Sequence, residues 1–169
     1  PAVILITGSG PQNRNEEIMG HKSFMVLADY LTNRGIAVLR FDDRGVGESS
    51  GIFAEATSAD FASDVEAAMS YLKTRKEINK KSIGLLGHSE GGLIAPMVAA
   101  RFKETAFIVL LAGPGLRGAD VLALQSEALS RASGMDETQI EKNKLLNHKL
   151  YEIAISNSSH ASDSISQYL

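Results

Sequence analysis

Gly87-His88-Ser89-Glu90-Gly91-Gly92 is the stretch whose residue types and spacing could do covalent chemistry. A short apolar run, Ser82-Ile83-Gly84-Leu85-Leu86, leads into it, and a helix-like run from Leu93 to Arg101 follows. Strand, G-x-S-x-G, helix is the context that presents a serine hydroxyl on a sharp turn above a sheet. Such a turn forces its central residue into a sparsely populated backbone region. The second neighbours on either side must then lack a Cβ, and here they are Gly87 and Gly91. Ser89 is placed like an attacking nucleophile, and the N–H of Glu90 at the helix start points at the carbonyl it would attack. Against this stands a plain strand-to-helix turn that happens to hold a serine.

The elements that must position Ser89 can be read in order. Ala2-Val3-Ile4-Leu5-Ile6 is apolar on both faces and predicts a buried strand. Thr7-Gly8-Ser9-Gly10-Pro11 follows, a loop that lets backbone approach a ligand. A dinucleotide fingerprint would want glycine at 13 and an immediate helix; Asn13 and the polar run Gln12 to Glu17 argue against it. Apolar residues at 24, 27, 28 and 31 predict a helix, closed by Gly35 in the left-handed position. Ile36 to Phe41 predicts a second buried strand, parallel to the first. The loop from Asp42 to Gly51 carries Asp42 and Asp43, whose bland reading is a loop braced by an Asp–Arg ion pair. Thr57 with Asp60 reads as a capping box for a covering helix that runs to about Arg75. The elbow strand 82–86 and a helix from Gly91 to about Phe102, with Pro96 inside it, come next. Ala106 to Leu111 is a fourth strand. Four apolar strands separated by helices predict an α/β fold: a parallel sheet covered by helices on both faces.

After Gly115 the pattern changes. Ala119–Ala132 predicts a helix closed by Gly134, and Asp136 caps a second helix to about Ile155. This divides the chain into a core over 1–115, a helical cap segment over 116–155 expected to lie over the catalytic edge, and a serine-rich tail over 156–169 expected to be mobile. The chain has 169 residues, of which 44% are hydrophobic and 22% charged, an ordinary globular balance. A net charge of −3 supplies no basic footprint for nucleic acid. No apolar run approaches the ~20 residues that span a bilayer, and the absence of cysteine excludes disulfides and thiolate metal sites. Pro1 leads straight into an apolar strand, so the chain reads as an excised piece of a longer protein, with its compartment open.

Three motifs in this order, Thr7-Gly8-Ser9-Gly10-Pro11, Asp43-Arg44-Gly45-Val46-Gly47-Glu48-Ser49 and Gly87-His88-Ser89-Glu90-Gly91, resemble the α/β-hydrolase superfamily over nearly the whole chain. Gly8 to Arg14 is similar to its bacterial carboxylesterase branch, near the serine aminopeptidase-like hydrolases. The resemblance implies the third to sixth of eight strands, with a helical cap after the sixth. It implies Ser89 as nucleophile and an oxyanion hole from the backbone N–H groups of Ser9 and Glu90. It further implies an acyl-enzyme on a carboxylic ester, with no metal or organic cofactor. A triad acid and histidine would follow the seventh and eighth strands, beyond this chain. His21, His88, His148 and His160 each read as packed or surface residues, so no general base is assigned. A peptidase acting on short peptides, and a non-catalytic ligand-binding protein on the same fold, are the rival expectations. With no seventh strand beside it, Ala106–Leu111 is an apolar edge, and the chain is expected to dimerise, swap segments or aggregate through it.

Overall fold

The computed structural model describes residues 1–156 and 160–168. Contacts group the chain into two compact units, residues 1–114 and residues 115 onward.

The first unit is built on β1 (Ala2–Ile6), every residue of which is buried. β4 (Ala37–Leu39) lies on one side of it and β5 (Ile83–His88) on the other, both parallel to it; β6 (Ile108–Leu111) extends the sheet beyond β5. The register is continuous, with Ala2 opposite both Ala37 and Ile83, and Leu85 opposite Ile108. Alternation along β1 sends its side chains to two cores. Ala2, Ile4 and Ile6 pack with α2 (Ser58–Thr74) and α3 (Gly91–Arg101) through Val65, Met69, Ile94 and Val98. Val3 and Leu5 pack on the opposite face with Phe24 of α1 (Ser23–Thr32). The sheet is therefore covered on both faces, as the four apolar runs require.

Local chemistry sets the helix limits. The Asp60 carboxylate accepts from the Thr57 N–H at 2.8 Å and from its hydroxyl at 2.6 Å, closing the α2 start. Gly35 has φ +76° after α1, as a left-handed cap needs. Two differences from expectation stand out. The polar loop after Pro11 contains a short hairpin, β2 (Glu17–Ile18) with β3 (His21–Lys22), turning at Met19 and Gly20, both with positive φ. The outer strands, expected buried, are not. β4 is half-buried, and β6 leaves Ile108, Val109 and Leu110 exposed because each forms an edge of the four-stranded sheet.

The second unit holds α4 (Gly118–Ala132), α5 (Glu137–Ile155) and the short α6 (Ala161–Ser166). Asp136 caps α5 by accepting from the N–H groups of Thr138 and Gln139 at 2.9 and 3.2 Å. Gly134, at φ +82°, ends the turn before it. The α6 turn lies within the serine-rich stretch from which no element is expected; residues 157–159 and 169 of that stretch lie outside the described residues.

Candidate active site

Connections from β1 leave toward β4, whereas those from β5 leave toward β6, so the topology switches direction between β1 and β5. In open α/β sheets the carboxyl ends of the strands flanking such a switch open a crevice for ligand. The loop after β1 carries Gly8, Ser9 and Gly10, and the turn after β5 carries Ser89. The two meet directly: a Cβ added at Gly8 would stand 3.1 Å from the Ser89 Cβ and 3.3 Å from His88 Nδ1.

Ser89 has φ +50°, a left-handed conformation that a serine adopts only where its surroundings over-determine it. Its N–H donates to the Leu111 carbonyl at 2.9 Å, and its own carbonyl accepts from Gly92 at 2.8 Å, so backbone on both sides holds the turn. The flanking glycines are dictated by space. A Cβ at Gly87 would overlap the Gly91 carbonyl, and one at Gly91 would overlap the carbonyl of Ile6. A Cβ at Gly92 would come within 2.5 Å of the Gly113 Cα, on the loop after β6. The hydroxyl of Ser89 has no hydrogen-bond partner among the described residues, and the side chain is half-buried.

Neither the N–H of Ser9 nor that of Glu90, at the start of α3, has an acceptor among the described residues. The Glu90 side chain is held away by the Ser58 hydroxyl, which donates to it at 2.6 Å. A narrow cleft beside the elbow is lined by Thr7, Gly8, Gly10, Asp43, Phe53 and Glu90. Its interior volume of about 10 Å³ suits about one water. Ser89 does not line this cleft.

The loop after β1 is tied down from below. Asp42 takes the Arg14 guanidinium at 3.0 and 2.7 Å and the Arg14 N–H at 2.7 Å. Those bonds from Arg14 hold the Asp42 carboxyl well below the usual carboxylate range. Asp43 accepts from the Thr7 hydroxyl at 2.7 Å and from the Gln12 N–H at 2.9 Å. Burial nonetheless pushes the Asp43 carboxyl upward. The expected Asp–Arg brace is real, but it reaches across 28 residues to Arg14, while Arg44 pairs with Asp64 of α2 at 2.7 Å. Among the described residues no cluster of histidine and carboxylate groups could hold a metal ion.

The histidines divide sharply. His21, His148 and His160 are exposed; His148 lies 3.6 Å from Glu152 of its own helix. His88 instead places Nδ1 2.7 Å from Glu16 Oε1, a buried carboxylate that sequence reasoning leaves in a polar loop. No spacing or periodicity signals Glu16, because its partners lie 8 and 72 residues away.

Comparison with known proteins agrees with this fold. Residues 20–167 match the family model described as serine aminopeptidase, S33. Esterase EstD of Thermotoga maritima is 33% identical over 141 residues, covering 82% of this chain and 34% of that protein. The chain thus spans about a third of the length of this curated relative. The structure of Est1E from Butyrivibrio proteoclasticus with ferulic acid bound is 29% identical, with a TM-score of 0.52, over 62% of this chain and 39% of that one. Pyrococcus furiosus esterase Pf2001 is 22% identical with a TM-score of 0.61, over 87% and 51% of the two chains, and shares the fold.

Proposed function

This chain belongs to the serine aminopeptidase (S33) family of the α/β-hydrolase superfamily, and from that premise we propose that it supplies the nucleophile and oxyanion-binding part of a serine esterase. The observation that carries the reading is the meeting of the Gly8 loop and the strained Ser89 turn at the topological switch of the sheet. In this reading Ser89 Oγ attacks the carbonyl carbon of a small carboxylic ester and forms a tetrahedral adduct. The N–H groups of Ser9 and Glu90 donate hydrogen bonds to its oxyanion. The C–O bond to the alcohol then breaks, the alcohol leaves with the serine's proton, and water hydrolyses the acyl-enzyme. A histidine moves that proton and a carboxylate orients it, both outside these 169 residues, since the exposed histidines here lie on the surface and His88 is engaged by Glu16.

The similarity to EstD favours an ester, whereas the family description, serine aminopeptidase, favours the amide bond of a short peptide. Both leave through the same adduct. The full-length gene product should hydrolyse p-nitrophenyl acetate faster than an alanyl p-nitroanilide; the reverse order would assign the peptidase reading. The 169-residue chain assayed alone should turn over at least about 10²-fold more slowly than the full-length product, because no base bonds to the Ser89 hydroxyl among the described residues. Equal rates would put the base within these residues, with His148 or His160 the first to replace.

The edge of the sheet supports a second proposal, on assembly. Among the described residues no strand pairs with the outer edge of β6, and Phe107 to Leu110 are each 39–47% exposed. Such an edge is a template for strand addition. The 169-residue chain should therefore associate with rising concentration, as a dimer or larger, in light scattering. Lysine at Val109 should shift it toward monomer, and a monomer at millimolar concentration without that change would contradict the proposal.

A further inference from the structure

Glu16 is the group in the first unit whose chemistry the reaction above does not use. It is 2% exposed, and its backbone has φ +48°, a conformation that a glutamate pays for in strain. A buried carboxylate persists when its oxygens are hydrogen-bonded. Here Oε1 accepts from the Gly8 N–H at 2.9 Å and lies 2.7 Å from His88 Nδ1; among the described residues no lysine or arginine pairs with it. One oxygen thus joins the loop after β1 to the residue immediately before Ser89.

We infer that Glu16 is a positioning residue: its carboxylate clamps the Gly8 amide against His88 and thereby aims the Ser9 N–H at the oxyanion. The inference rests on the acyl-transfer reading given above. The geometric reason is the chain connectivity. Holding the Gly8 N–H fixes the Thr7–Gly8 peptide plane, the base from which the chain rotates through Gly8, a residue with no Cβ to restrict it. That rotation decides where the next amide, that of Ser9, points. Gly8 cannot itself donate to substrate, since its N–H is already taken by Glu16. The rest of the loop is anchored independently, by Asp43 at Gln12 and by Asp42 at Arg14. Turn bonds from the Glu16 N–H to the Asn13 carbonyl and from the Asn15 N–H to the Asn13 side chain, both 2.9 Å, deliver Glu16 back toward Gly8. The clamp acts only on the two or three residues nearest Ser89, where a misdirected donor weakens the transition state more than substrate binding.

The test has two parts. Amide hydrogen exchange of the 169-residue chain should show the Gly8 amide at least about tenfold slower than that of Ser9, which has no acceptor among the described residues. Glu16→Ala should abolish that difference. Glu16→Gln should keep it, because a carboxamide oxygen still accepts both hydrogen bonds. In the full-length product, Glu16→Ala should lower kcat for p-nitrophenyl acetate by about 10- to 100-fold with KM within twofold, and Glu16→Gln should stay within about threefold of wild type. A rise in KM at unchanged kcat, or loss of kcat equal in both variants, would overturn the inference. If Glu16→Ala does not fold, the wild-type exchange pattern and Glu16→Gln decide it. Failure of the esterase reading is separable: Ser89→Ala would then leave activity intact while the exchange result still reports the clamp.

Discussion

Ser89→Ala in the full-length product is expected to lower kcat for short acyl esters by about 10⁴- to 10⁶-fold while leaving the fold unchanged. The size of the loss follows from the chemistry. Without Oγ no acyl-enzyme can form, and what survives is substrate binding and oxyanion stabilisation of direct attack by water. The fold should tolerate the change because the Ser89 side chain makes no hydrogen bond among the described residues, whereas its backbone bonds to Leu111 and Gly92 do not depend on the hydroxyl. The thermal midpoint should therefore move by no more than a few degrees. Fluorophosphonate labelling of the full-length product should disappear in parallel with turnover. Activity within tenfold of wild type would remove Ser89 from the chemistry and with it the oxyanion roles of Ser9 and Glu90.

Much of the fold was legible because its signals are local. Thr57 with Asp60, and Asp136 with Gln139, announce helix starts within three residues, and the structure closes both helices there. Gly87 before Ser89 is legible for the same reason, since its clash with Gly91 arises within one turn, whereas Gly91 is demanded by the distant carbonyl of Ile6. What escaped the sequence is set by distant partners. Apolar composition predicts burial of Ile36–Phe41 and Ala106–Leu111, but exposure depends on which strands end up at the sheet's edges. The β2–β3 hairpin is two residues per strand, too short for alternation to register. The chemistry of the loop after β1 is likewise hidden. Arg14, Glu16, Asp42 and His88 look like ordinary polar residues until folding brings them together. Even the helix read as mere cover, α2, reaches the site, since Ser58 holds the Glu90 side chain.

Gly87→Ala should be among the most destabilising single substitutions in the chain, costing on the order of 4 kcal/mol or more, and Gly35→Ala shows why by contrast. The two glycines are needed for different reasons. Gly35 has φ +76°, and a Cβ there would meet nothing within 4 Å. Alanine at 35 therefore incurs only the left-handed backbone penalty, about 1–2 kcal/mol. Gly87 is not among the positive-φ residues, so its backbone suits alanine, but the added methyl would overlap backbone atoms of Gly91 and Gly92. Backbone cannot swing aside as the tip of a side chain can. Relief would require α3 to back away from β5, and α3 contributes Ile94, Ala95 and Val98 to the larger core. Urea unfolding of the 169-residue chain measures both. Gly35→Ala should shift the midpoint modestly at constant slope, and Gly87→Ala should shift it at least about twice as far. A Gly87→Ala chain as stable as Gly35→Ala would mean that the elbow has slack. The strained geometry at Ser89 would then not be imposed by its neighbours, and the placement of the nucleophile would need another cause.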